Sequence, residues 1–94
     1  MNTENRAYDF SLRVAEIVRY LKKERREFPM GDKLLDCAVS AGIFARNGDR
    51  NAAAGCIEQV DYIIEMASRA GYLTEYQTEP IRRDGSELIT MLRA

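Results

Sequence analysis

Apolar residues recur along this chain with a period near 3.6, and no stretch alternates apolar and polar residues as a strand would. The first run, Phe10, Val14, Ile17, Val18 and Leu21, has the i, i+4, i+7 spacing of one buried helical stripe, widened by Tyr8, Leu12 and Ala15. It predicts a helix from about Thr3, as N-cap, to Arg26. Pro29 closes the segment, because the residue before a proline is pushed out of helical conformation.

A second helix is expected after "MGD", capped by Asp32, with Leu34, Leu35, Ala38, Val39, Ala41, Gly42 and Ala45 on its inner face. Four of these are small and permit close approach of another helix. "RNGD" ends it: Gly48 suits the left-handed C-terminal position, and Asp49 caps a third helix from about Arg50 to Ala70. Ala53, Ile57, Val60, Ile64 and Ala67 form that helix's stripe, and Gly71 stops it. Thr74 caps a fourth segment carrying Ile81, Leu88, Met91 and Leu92 inward. Pro80 and Gly85 lie within it, so a kink is expected, or a break with Ser86 as a new cap. Short connections make neighbours antiparallel. The predicted fold is all-α: one domain over 1–94, an up-down antiparallel four-helix bundle with its fourth helix kinked or interrupted near Pro80 and Gly85.

Composition narrows the chemistry. A chain of 94 residues buries only part of its surface, so self-association is a natural way to gain core. No apolar run reaches the ~20 residues of a membrane span, and "MNTENRAYDF" is unlike a signal peptide, so a soluble cytoplasmic protein is expected. Histidine is absent, which removes Ser-His-Asp and Cys-His catalysis and imidazole metal ligands. Cys37 and Cys56 form no CxxC pair and lie in apolar helical patterns, as small buried reduced thiols do. The glycines make no phosphate-loop signature, and Met30, Met66 and Met91 read as core filler. No cofactor, metal or catalytic residue is indicated.

Charge is the remaining signal. Arg19, Lys22, Lys23 and Arg26 follow i, i+3, i+4, i+7 opposite the apolar stripe of the first helix. Three uses are open: a solvated face, a phosphate-binding face for RNA or DNA, or a subunit contact. No aromatic residue interleaves the stripe as a base-stacking platform would need. Glu58, Asp61 and Glu65 form an acidic stripe on the third helix, a candidate complement to the basic one in head-to-tail packing. Residues 1–47 carry +2 and residues 48–94 carry −3.

Three segments also resemble a known family. "YLKKERREFPMGDKLLDCAVSAG" is similar to the first loop and second helix of bacterial four-helix-bundle proteins encoded by intervening sequences in large-subunit ribosomal RNA genes. "VDYIIEMASRAGYL" resembles that family's third helix, with its acid-aromatic pair at Asp61 and Tyr62 and its terminal Gly71, Tyr72 and Leu73. "SELITMLRA" resembles the closing helix. The resemblance implies a four-helix protomer, often in a homopentameric ring, and no known enzymatic activity. Accessory variability-determinant proteins of diversity-generating retroelements, which share the fold, bind nucleic acid together with a reverse transcriptase. The chain departs from the pattern at Asp36, where a basic residue is usual, at Phe44, where asparagine is frequent, and in its net charge of -1. The leading expectation is therefore a non-enzymatic, homo-oligomeric scaffold or accessory protein. A nucleic-acid-binding accessory protein is the alternative.

Overall fold

The structure, a computed structural model, describes residues 2–24 and 27–94. It holds four helices, α1 (Thr3–Lys23), α2 (Gly31–Arg46), α3 (Arg50–Arg69) and α4 (Glu75–Arg93), and no strand among the described residues. Each helix packs on the next and α4 returns to α1, which gives an all-α four-helix bundle measuring 36 × 20 × 19 Å. The antiparallel order shows in two end contacts. Arg46, closing α2, lies over the ring of Tyr8 near the start of α1 at 5.7 Å. Arg50, opening α3, donates from Nε to the Leu92 carbonyl at 2.9 Å and from Nη2 to that of Met91, in the last turn of α4. The second contact gives partners to carbonyls that a helix end leaves open.

Local chemistry sets the boundaries. Asn2, not Thr3, caps α1: its side chain accepts from the Asn5 N–H at 2.8 Å. Asp32 does not cap α2. Met30 occupies that position without a side-chain bond, and Asp32 sits in the first turn, where a carboxylate still favours the positive helix end. Asp49 caps α3 through Ala52 N–H, and Thr74 forms a reciprocal capping box with Gln77, with bonds of 2.8 and 3.1 Å. Gly48 and Gly71 end α2 and α3 in the left-handed region, at φ 81° and 86°. In each case the next residue's N–H reaches five residues back, from Asp49 to Phe44 and from Tyr72 to Ala67. The charge run at the end of α1 closes earlier than predicted, with Glu24 as C-cap; Arg26 lies outside the described residues.

The core takes Phe10, Val14, Val18 and Leu21 from α1, Leu34, Cys37, Ala38, Ala41 and Ala45 from α2, the whole predicted α3 stripe, and Ile81, Leu88 and Leu92 from α4. Ala7 also joins it, and Ile17 and Leu35 pack against it half-buried. Three residues expected to face inward do not: Tyr8, Leu12 and Val39 are 51%, 46% and 45% exposed. Met66, expected as core filler, is also exposed.

Two glycines set the closest helix approaches. A Cβ on Gly42 would stand 2.9 Å from Ser11 Oγ. That hydroxyl is 2.7 Å from the Ala38 carbonyl and 3.1 Å from that of Ala7, so α1 lies directly on the Ala38–Gly42 turn of α2. A Cβ on Gly85 would stand 3.2 Å from the Phe10 ring and 3.3 Å from Ile57. The fourth helix runs as a single element with Pro80 inside it, so there is no break and no restart at Ser86. The magnitudes account for this. Proline and glycine in a helix interior cost about 3 and about 1 kcal/mol. Burying Ile81, Leu88 and Leu92 returns about 2 kcal/mol each, and the capping box adds to that. Pro80 has no N–H for the carbonyl one turn back, on Tyr76, a residue 88% exposed.

Two outcomes are expected from these contacts. Gly85→Leu should destabilise the fold by about 2–3 kcal/mol in urea titrations, through overpacking between Phe10 and Ile57. Gly42→Ala should gain no stability in the native sequence, because Ser11 Oγ blocks the methyl. In a Ser11→Ala background the same change should stabilise by about 1 kcal/mol, the ordinary helix preference for alanine. Equal effects in both backgrounds would show that Ser11 does not limit the approach.

Candidate interaction surface

Ion pairs fasten both seams of α4. Toward α1, Arg6 reaches Glu87 at 3.2 Å and Met91 Sδ at 3.0 Å, and Arg13 pairs with Asp84. Toward α3, Arg82 grips Asp61 with two nitrogens at 2.8 and 3.2 Å and Glu65 at 3.1 Å. Arg93 meets Glu58 at 2.6 Å, and within α3 Arg69 meets Glu65 at 3.3 Å. The acidic stripe Glu58, Asp61 and Glu65 is thus brought together as predicted and is paired within its own chain. The hydrogen bond from Arg93 holds the Glu58 carboxyl below its usual range, and the bond to Asp61 raises the Arg82 guanidinium further above neutrality. These pairs are open to water, so they orient the helices more than they stabilise them. A groove of about 890 Å³ between α3 and α4 is walled in part by Glu58, Asp61, Glu65, Arg69 and Arg82.

The basic stripe has the opposite character. Arg19, Lys22 and Lys23 are exposed on α1, and none forms an ion pair among the described residues. Arg26, its fourth member, lies outside the described residues.

The α1/α2 seam has no ion pair among the described residues; Ser11 and Gly42 hold it instead. Over it lies an apolar face, three of whose residues, Tyr8, Leu12 and Val39, were expected in the core. Tyr8 and Leu12 present it from α1, and Val39 and Ile43, the latter 55% exposed, from α2. Helical angle carried the signal. Leu12 falls two residues from both Phe10 and Val14, about 200° away from each around the helix. The other exposed aromatics among the described residues are Tyr20 on α1, Phe44 on α2, Tyr62 on α3 and Tyr76 on α4.

The thiols occupy the α2/α3 seam. Cys37 is 5% exposed and its Sγ lies 3.2 Å from Gln59 Oε1, a hydrogen-bonding distance. Cys56, expected to be buried, is only partly so. Both are free, and burial pushes both thiols above their ordinary value. Among the described residues no group of three or more His, Cys, Asp or Glu is placed to hold a metal ion, and no helix is long and apolar enough to cross a membrane.

No protein-family model matches the chain, and no curated protein matches it. Among solved structures it is similar to a crystal structure of a protein of unknown function from the S23 ribosomal protein family of Bacteroides thetaiotaomicron. The two are 24% identical, the match covers 97% of this chain and 94% of that one, and the TM-score is 0.90. The likeness shows a shared four-helix fold over nearly the whole length of both chains.

A bulky disulfide reagent should label the native protein slowly at neutral pH, with Cys56 reacting before Cys37. Because both pKa values are raised, the thiolate fraction and the rate should climb as pH rises through and beyond the ordinary thiol range. Rapid labelling of Cys37 at pH 7 would contradict its burial.

Proposed function

We propose that this is a non-enzymatic, cytoplasmic helical-bundle protein that acts through its surfaces, as a self-associating scaffold or accessory subunit without a cofactor. The observation that carries this reading is the apolar face of α1 and α2. Four large apolar side chains stand open there on a 10.7 kDa chain, and contiguous apolar surface of this kind favours association. The resemblance to proteins encoded in ribosomal RNA intervening sequences accords with it, as does the S23 ribosomal protein label of the structural neighbour. That resemblance favours a ring of five as the assembly. Sedimentation equilibrium at micromolar concentration should give a particle heavier than one chain. A single-chain mass at every concentration refutes the reading.

A second reading rests on one observation: among the described residues Arg19, Lys22 and Lys23 have no carboxylate partner, whereas the arginines along the α4 seams are paired. With Arg26 they would form the contact of an RNA- or DNA-binding accessory protein, of ribosomal RNA intervening-sequence type or one that partners a reverse transcriptase. It ranks second because a net charge of -1 gives little long-range attraction to a polyanion, and no aromatic residue joins the stripe. Fluorescence anisotropy with a labelled single-stranded RNA should show no binding at micromolar protein. Binding that weakens steeply between about 50 and 200 mM salt, and that is abolished by reversing all four charges, would put this reading first.

A further inference from the structure

We infer that the α1/α2 face binds a second copy of itself about a two-fold axis passing over Leu12 and Val39. This rests on the self-association proposed above and names the surface and its geometry. The first support is the register of the two helices. Ser11 lies on the Ala38–Gly42 turn, and Arg46 lies over Tyr8, which sets Leu12 level with Val39 at the middle of the face.

The second support is the order of side chains along each helix. On α1, Glu4, Tyr8, Leu12, Ala15 and Arg19 share one helical stripe. It starts acidic, is apolar in the middle and ends basic. On α2, Asp32, Leu35, Val39, Ile43 and Arg46 repeat the same order. Asp32 and Arg46 each lie seven residues from Val39, and Leu35 and Ile43 each lie four residues from it. Glu4, Arg19, Asp32 and Arg46 are all exposed.

The helices are antiparallel, so the four charges alternate in sign around the corners of the face. Such a pattern fits its own image. A two-fold axis crossing both helices lays α1 on the partner's α1 and α2 on the partner's α2. Glu4 then falls opposite the partner's Arg19, Asp32 opposite the partner's Arg46, and Leu35 opposite the partner's Ile43. The apolar centre supplies affinity, and the corner charges select the register. An isologous contact of this kind closes at two subunits. If a ring of five forms through other surfaces, this face joins two rings into ten. Either way the particle holds an even number of chains.

Native mass spectrometry and sedimentation equilibrium on the full chain provide the test. The wild type should contain two or ten chains. Leu12→Glu sets two carboxylates against each other at the axis and should raise the dissociation constant at least about 100-fold. Helical content should be unchanged, because Leu12 is 46% exposed. Arg46→Glu and Asp32→Arg should each weaken association roughly tenfold. An equimolar mixture of those two should recover wild-type affinity as a mixed particle, since every corner then meets its opposite. Five chains per particle, unaffected by Leu12→Glu, would overturn the two-fold contact and leave self-association standing. A monomer would overturn both. Failure of the mixture to recover would reject this pairing of corners. A monomer whose RNA binding is lost in Arg46→Glu would make the face a polyanion surface and overturn the inference.

Discussion

The bundle depends on three helices meeting at one point. Phe10 of α1 and Ile57 of α3 both press on α4 where Gly85 has no side chain. With a Cβ there, α4 would stand further out, and Leu88 and Ile81, one turn away on either side, would lose part of their cover. The ionic seams follow from this seating. Arg82 and Asp84 flank the glycine, and they reach Asp61 and Arg13 on the neighbouring helices. Gly42 has the same role between α1 and α2 on a smaller scale, where the contact is a hydroxyl on a helix backbone and no charge is involved.

The seams thus divide the molecule chemically. α4 is held to its neighbours by a hydrophobic stripe and a row of arginine-carboxylate pairs on each side. The α1/α2 seam is held by small residues, and its outer surface is left apolar. Charge that would otherwise spread over the bundle is concentrated around one helix. Among the described residues Arg19, Lys22 and Lys23 form no ion pair; they gather toward the end of α1 and continue the line begun by Tyr8 and Leu12.

Most of the architecture was legible in the sequence, for identifiable reasons. Glycine in the left-handed region and an Asp or Thr cap act locally, so the ends marked by Gly48, Asp49, Gly71 and Thr74 could be read without tertiary knowledge. Gly85 could not. Its local cost is visible, but its packing partner lies 75 residues away in Phe10. The cap at Asn2 was missed because Asn2 and Thr3 are both good capping residues and sequence alone does not separate neighbours. The surface was less legible. Glu58, Asp61 and Glu65 do form one stripe, yet their partners are on α4 of the same chain, which no single-helix pattern reveals. Tyr8, Leu12 and Val39 are hydrophobic enough to suggest the core, but their helical angle turns them outward, and their exposure is the basis of the proposed self-association.

The uneven fastening of the helices also gives the bundle a preferred order of failure. Concentrated salt screens exposed ion pairs but strengthens apolar packing, and acid discharges carboxylates without affecting a methyl contact. Both stresses therefore act first on α4, while α1, α2 and α3 keep the small-residue seams that join them. The surface uncovered when α4 peels away is the buried flank of Phe10 and Ile57. Partial unfolding would then produce a sticky three-helix species, so the arginines of the α4 seams guard against aggregation as well as adding modest stability.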